Sequence, residues 1–194
     1  MRGLDNDVNS VTEAFLQGAV ADEVREALCR EEAPAIRAMA AHRWTEQFEA
    51  LRGATEKYIA ETGKNVIVFL CNMGPVPQHK ARADFSASFM EVAHFEVLRN
   101  NGFATVEEAV AAAAASGADV AVICSTDDSY PELVPGLAQG IKAAAPKMKV
   151  ILAGAPAPDM KESYAAAGVD EYIHVKANCL QILTDIQKER GIRA

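Results

Sequence analysis

Aromatic residues make up only 6% of these 194 residues, with a single tryptophan, and cations are outnumbered, 19 Lys and Arg against 27 Asp and Glu. The net charge of −8 argues against a nucleic-acid surface, which needs clustered Lys and Arg. Long apolar runs are also missing, and none approaches the roughly 20 residues that span a bilayer. The opening residues, Met1 to Ser10, lack the basic start and apolar core of a secretory signal. A cytoplasmic location is therefore expected. Cysteine is sparse: Cys29, Cys71, Cys124 and Cys179 are far apart and form no Cys-x-x-Cys pair. That spacing suits reduced thiols rather than a disulfide framework or a zinc site. What remains is a composition 50% hydrophobic and 24% charged, able to bury the core of one domain with an appendage.

Residues 1–62 read as a helical arm or linker without a strand, and residues 63–194 as the domain. Asn9 and Ser10 can cap a first helix carrying Val11, Ala14, Phe15 and Val20. Ala21 to Cys29 continues at helical spacing, and Pro34 permits a restart over the alanine-rich stretch from Ala35 to Ala41. Trp44, Phe48, Leu51, Ala54 and Tyr58 then form one apolar stripe on a helix that Gly63 ends. The stripe predicts packing against the following domain, or a docking surface for another subunit.

From Lys64 the pattern changes to strict alternation. Strands are expected at Val66–Cys71, Glu96–Arg99, Val120–Ser125, Val150–Ala153 and Tyr172–Val175. Helices are expected at His79–Ala93, Thr105–Ser116, Tyr130–Ala145, Asp159–Ala167 and Ala177–Arg190, with Thr105 and Glu108 as a capping box. Five βα units in a row imply a doubly wound, five-stranded parallel sheet covered on both faces, in the flavodoxin-like order 2-1-3-4-5. In that order the loops 72–78 and 125–131 flank the crevice where ligands gather. His79 would open the helix at its mouth.

Three ligand classes are disfavoured by the strand ends. A flavin-phosphate loop needs backbone amides, and Pro75 and Pro77 remove two of them. A phospho-receiver needs acids after the first strand to hold Mg²⁺, and Cys71-Asn72 stands there. A dinucleotide fingerprint needs three spaced glycines, and only Gly74 is present.

From Trp44 onward the chain resembles the C-terminal, cobalamin-binding-type domain of methylmalonyl-CoA mutase, most closely its small subunit. The residues that carry the resemblance run from Thr45-Glu46-Gln47-Phe48-Glu49-Ala50-Leu51-Arg52 through Gly74-Pro75 and His79-Lys80-Ala81-Arg82-Ala83-Asp84-Phe85. They continue with Gly117-Ala118-Asp119-Val120, Ile123-Cys124-Ser125-Thr126-Asp127, Tyr130-Pro131-Glu132-Leu133-Val134-Pro135, Ala167-Gly168-Val169-Asp170 and Ile173-His174. The resemblance implies an adenosylcobalamin-dependent isomerase that interconverts methylmalonyl-CoA and succinyl-CoA, with a separate barrel domain around the substrate. It implies cofactor contacts at His79, Gly74, Ser125, Thr126 and Gly154, with His79 as lower cobalt ligand.

Binding members carry Asp-x-His-x-x-Gly, Ser-x-Leu and Gly-Gly at these strand ends. Here Pro77 stands two before His79 and Arg82 three after it, Asp127 follows Ser125-Thr126, and Ala153-Gly154 replaces the glycine pair. A ligating imidazole without its carboxylate partner is poorly supported. The expectation is a degenerate, non-catalytic domain that does not hold the cofactor. It would associate with a catalytic mutase subunit, or with its own copies, through the domain face and the Trp44–Tyr58 helix. The alternatives are a true adenosylcobalamin carrier using His79, and a small-molecule or phospho-acceptor sensor using Asp127 and Lys176. Asp127 and Asp128 could also cap the next helix. His94 near a helix end could meet the dipole as a cation, and Cys71 and Cys124, ending neighbouring strands, could approach each other.

Overall fold

The computed structural model describes residue 4 and residues 7–28 and 41–193. Two compact units are present, Met1–His42 and Arg43–Ala194.

In the first unit, α1 (Val8–Leu16) and α2 (Ala21–Leu28) each bury one small apolar residue, Ala14 and Val24. The cap of α1 is Asp7, not Asn9 or Ser10. Its carboxylate accepts from the Asn9 and Ser10 amides at 2.9 and 3.1 Å and from the Ser10 hydroxyl at 2.6 Å. An ionised side chain is a stronger acceptor at a helix start than the neutral groups beside it. Cys29, Pro34 and the stretch 35–40 lie outside the described residues.

The second unit opens with α3 (Glu46–Thr62), closed by Gly63 in the left-handed region at φ 70°. Its buried face is Leu51 and Thr55, with Phe48 half-buried, whereas Trp44 is fully exposed. The expected packing of Trp44 on the domain is therefore not found: the helix starts after it, at Glu46, and Trp44 falls outside the face that α3 turns to the core. Five βα units follow: β1 (Ile67–Asn72), α4 (Val76–Glu91), β2 (Glu96–Leu98), α5 (Val106–Ala115), β3 (Val120–Cys124), α6 (Tyr130–Ala144), β4 (Lys149–Ala153), α7 (Pro158–Ala167), β5 (Glu171–Ile173) and α8 (Cys179–Glu189). The sheet is parallel in the order β2-β1-β3-β4-β5, as the alternation predicts. The Thr105–Glu108 capping box is formed.

Alternate residues of each strand feed two cores. One holds Phe69, Cys71 and Ile123 under α5, α6 and α7; the other holds Leu70, Val122 and Cys124 under α3, α4 and α8. Because strand side chains alternate between faces, Cys71 and Cys124 point to opposite sides of the sheet. The register pairs Asn72, not Cys71, with Cys124. Burial pushes both thiols up, Cys124 to about 12. We expect brief maleimide labelling at pH 8 to leave both unmodified by peptide mass mapping. Rapid alkylation of either would contradict their burial.

Candidate functional site

The carboxyl ends of β1, β3 and β4 converge at the start of α4 and α6. The largest departure from expectation is here. Helix α4 begins at Val76, three residues before His79, with Pro75 extended as its cap and Pro77 in its first turn. Proline is tolerated there because the first helical N–H groups have no intrahelical acceptor to lose. The loop after β1 is consequently short, and His79 sits inside the first turns of α4 rather than at a loop edge.

His79 is 3% exposed. Its Nδ1 lies 3.0 Å from the Gly74 carbonyl oxygen, which can only accept, so Nδ1 carries the hydrogen. Gly74 itself is left-handed at φ 76° and donates its N–H to the Phe103 carbonyl at 3.0 Å. Gly102 lies against the same edge of the ring, where a Cβ would stand 2.6 Å from His79 Cε1, 3.1 Å from Nδ1 and 2.7 Å from the Gly74 carbonyl oxygen. The Nδ1–Cε1 edge of the imidazole is thus packed against two glycine backbones.

Arg82, one turn further along α4, crosses to the end of β4. Its Nη1 donates to the Ala153 carbonyl, its Nη2 pairs with Asp127 at 2.8 Å, and the guanidinium lies 5.6 Å from the centre of the Tyr130 ring. Tyr130 is buried and ties two strand ends together. Its hydroxyl donates to the Ala153 carbonyl at 2.7 Å and accepts the Ser125 N–H at 3.2 Å. Burial raises the Tyr130 hydroxyl above its ordinary range. Ser125 is sealed in, its Oγ donating to the Met73 carbonyl at 3.3 Å and lying 2.8 Å from Ser129 Oγ. Thr126 Oγ1 bonds Ser129 Oγ at 3.1 Å. At Gly154 a Cβ would stand 2.7 Å from Arg82 Nη1 and 3.1 Å from the Tyr130 ring, so the missing side chain makes room for these two protein groups.

The five expected residues therefore fall into three sets. Gly74 and His79 touch each other, and Ser125 and Thr126 meet through Ser129. Gly154 lies with Arg82 and Tyr130. Asp127 opens a 3₁₀ turn, Asp127–Ser129, and caps nothing, because its carboxylate is engaged by Arg82. His94 follows the end of α4 and meets Arg52 of α3. It is left-handed at φ 63°, and its Nδ1 lies 2.9 Å from Arg52 Nη2, a group that can only donate. His174 uses Nδ1 to accept the Lys176 N–H at 3.2 Å. Sequence reasoning missed the roles of Tyr130 and Gly102; the Asn-Asn-Gly run at 100–102 after a strand was the only local signal for the second.

Two cavities open here. One, of about 310 Å³, lies between the ends of β1 and β2 and includes Asn72, His79, Lys80, Asp84, Arg99 and Asn100 in its wall. The other, of about 380 Å³, lies on the far side of Arg82, against Phe85, Gly154, Ile173, His174 and Val175. Among the described residues no group of three or more His, Cys, Asp or Glu side chains could hold a metal ion, and no helix is long and apolar enough to cross a membrane.

The fold is flavodoxin-like, a doubly wound parallel sheet whose crevice lies at the carboxyl ends of β1, β3 and β4. The architecture matches a cobalamin-binding protein from Desulfitobacterium hafniense DCB-2, with a TM-score of 0.51 and 16% identity over 93% of this chain and 76% of that one. It also matches a CheY-like protein from Pseudomonas aeruginosa PAO1, with a TM-score of 0.51 and 20% identity over 68% of this chain and 97% of that one. No family model matches. More particularly, the chain is a sequence relative of methylmalonyl-CoA mutase small subunits, corresponding to their C-terminal part. It is 39% identical over 151 residues to the small subunit of Porphyromonas gingivalis, 78% of this chain and 23% of that protein. It is 32% identical over 147 residues to that of Streptomyces virginiae, 76% and 22%. The probable small subunit of Mycobacterium bovis is 31% identical over 149 residues, 77% and 24%. The chain thus spans about a quarter of the length of these relatives.

Proposed function

We propose that this chain is a cobalamin-binding-type domain that does not carry the cofactor and serves as a non-catalytic partner of an adenosylcobalamin-dependent acyl-CoA isomerase. The observation that carries this reading is Arg82. Its guanidinium, held by the Ala153 carbonyl, Asp127 and the Tyr130 ring, takes up the space beside Gly154 that a nucleotide tail needs at the sheet edge. His79 Nδ1 donates to the Gly74 carbonyl, a partner that ligating imidazoles also use, so it is the crowding by Arg82, and not the histidine, that stands against the cofactor. No nucleophile and base are brought together at these strand ends, which supports a partner rather than a catalyst.

For the partner, exposed Val76 and Val175 stand on the walls of the two cavities, and exposed Trp44 precedes α3. Val76 and Val175, apolar groups in water at the carboxyl end of the sheet, support a contact with a catalytic subunit there, and Trp44 offers a separate exposed apolar group. A cytoplasmic setting agrees with the free Cys71, Cys124 and Cys179.

The test is a visible-spectrum titration of the purified chain with adenosylcobalamin and hydroxocobalamin, followed by desalting. Free-cofactor spectra and complete loss on desalting are expected. A retained corrinoid whose base-off spectrum disappears in His79→Ala would overturn the reading in favour of a carrier, a second reading favoured by the free Nε2 of His79. Co-elution with a catalytic mutase subunit on sizing is the companion result, and clean separation at micromolar concentration would sink the partner role.

A further inference from the structure

The cavity between β1 and β2 is built from groups that the cobalamin comparison leaves unused. His79 is almost wholly buried, yet its Nε2 bonds to nothing among the described residues and is not sealed from solvent. With the hydrogen fixed on Nδ1 by the Gly74 carbonyl, Nε2 of the neutral ring presents a lone pair and asks for a donor. Asn72, 2% exposed, lines the same cavity. Its amide nitrogen donates to the Asn100 carbonyl at 3.2 Å, which fixes the orientation of the amide and leaves Oδ1 buried with no partner. Sealed from the cavity and itself an acceptor, Oδ1 takes no part in the contact proposed below.

The remaining polar wall has the opposite character. Lys80 and Arg99 are cations against one lining acid, Asp84, which pairs with Lys80 at 2.7 Å and Arg99 at 3.8 Å. Arg99 also reaches Glu91 at 2.8 Å, outside the cavity. The cavity lies at the amino end of α4, which has no side-chain cap and no acid in its first turn. A helix start is the positive end of its dipole. A lysine near that end is unfavourable alone and favourable beside an anion.

We propose that this cavity binds a small anion that carries a hydroxyl. The charge would lie between Lys80, Arg99 and the start of α4, and the hydroxyl would donate to His79 Nε2. Monohydrogen phosphate and a short hydroxycarboxylate share that chemistry, and a volume of about 310 Å³ admits either. The site differs from a flavin-phosphate loop in using side chains, since Pro75 and Pro77 leave no amide cradle. It rests on the reading that His79 takes no cobalt, and the two fail separately. A corrinoid spectrum dependent on His79 sinks that reading, whereas a silent anion titration with no corrinoid response sinks only this one.

The experiment is a titration of the ¹⁵N-labelled chain followed at the His79 ring nitrogens, with inorganic phosphate, sulfate, glycolate and acetate as probes at neutral pH. Saturable shifts with phosphate or glycolate are expected, and which of the two binds more tightly distinguishes the sources. Sulfate and acetate, each lacking the hydroxyl, are expected to bind about tenfold more weakly, the equivalent of one lost hydrogen bond to a buried acceptor. Arg99→Gln, at a half-exposed position, is expected to weaken binding by about tenfold through one lost charge-assisted contact, while Lys57→Gln on α3 leaves it unchanged. Absence of a His79 response up to tens of millimolar, equal response to sulfate, or an unaltered affinity in Arg99→Gln would each overturn the proposal.

Discussion

Gly102→Val is expected to cost at least about 3 kcal/mol of stability, read as a lowered urea midpoint with an unchanged slope. Two costs add. Gly102 sits at φ 98°, a region that an L side chain enters at roughly 1–2 kcal/mol, and more when it is β-branched. The new Cβ would also lie 2.7 Å from the Gly74 carbonyl oxygen and 2.6 Å from the His79 ring. Neither neighbour yields easily. Gly74 donates to the Phe103 carbonyl at 3.0 Å, and Phe103 donates to the Asn72 carbonyl at 2.8 Å, which stitches this loop to β1. Overpacking of that kind typically costs about 1–3 kcal/mol. Gly63→Ala isolates the first cost, because Gly63 has φ 70° with nothing within 4 Å of its Cβ position. It is expected to lose about 1 kcal/mol. Equal losses in the two variants would show that the contact with His79 and Gly74 contributes nothing.

The architecture was legible because its signals are strong and repeated. Strands such as Val120–Cys124, buried on both faces, read as continuous apolar runs, and Thr105 with Glu108 marks a helix start by chemistry that needs no tertiary partner. Parallel order then follows from the handedness of the crossovers. The misread start of α4 has a different cause. Two prolines near a glycine look like a loop, yet prolines in a first turn cost no hydrogen bonds, and three residues of helix were hidden by that ambiguity. Trp44 shows the limit of periodicity: the step from Trp44 to Phe48 is helical, but the helix begins at Glu46 and the ring has no core to meet.

The candidate site was legible as a set of departures rather than as a geometry. Sequence comparison flags Arg82 and Asp127 as misplaced, but their pairing spans 45 positions and cannot be read from spacing. The same holds for Gly154. As half of a lost glycine pair it looks vestigial, whereas in the fold it admits Arg82 and Tyr130 to the end of β4. His79 keeps its identity and changes its surroundings. It is reached from a helix, packed along its Nδ1–Cε1 edge on two glycine backbones, and open at Nε2 toward the cavity between β1 and β2.

Tyr130 is expected to be the costliest side chain to remove from this end of the sheet. Tyr130→Ala should lose about 3–5 kcal/mol, as buried aromatic truncations do, because the ring is nearly inaccessible and packs under Arg82. Tyr130→Phe separates the hydroxyl from the ring. It keeps the packing but leaves the buried Ser125 N–H without its acceptor and the Ala153 carbonyl with one fewer donor, at a cost of about 1–3 kcal/mol. The sign with pH follows from the raised hydroxyl. A group whose acidity is weakened by folding contributes its stability below the ordinary tyrosine value of 10.0 and loses it as pH rises further. The gap between wild type and Tyr130→Phe should therefore stay constant from neutral pH to about 9 and change only above that. If Tyr130→Phe were neutral, the hydroxyl would not be what ties β3 to β4. Arg82 and Asp127 would then be left to hold the end of β4 on their own, a pair whose carboxylate is largely exposed and that contributes little. A measurable loss in Tyr130→Phe instead makes the packing of Arg82 and Tyr130 beside Gly154 part of the folded core, so that displacing it would cost stability as well as contacts.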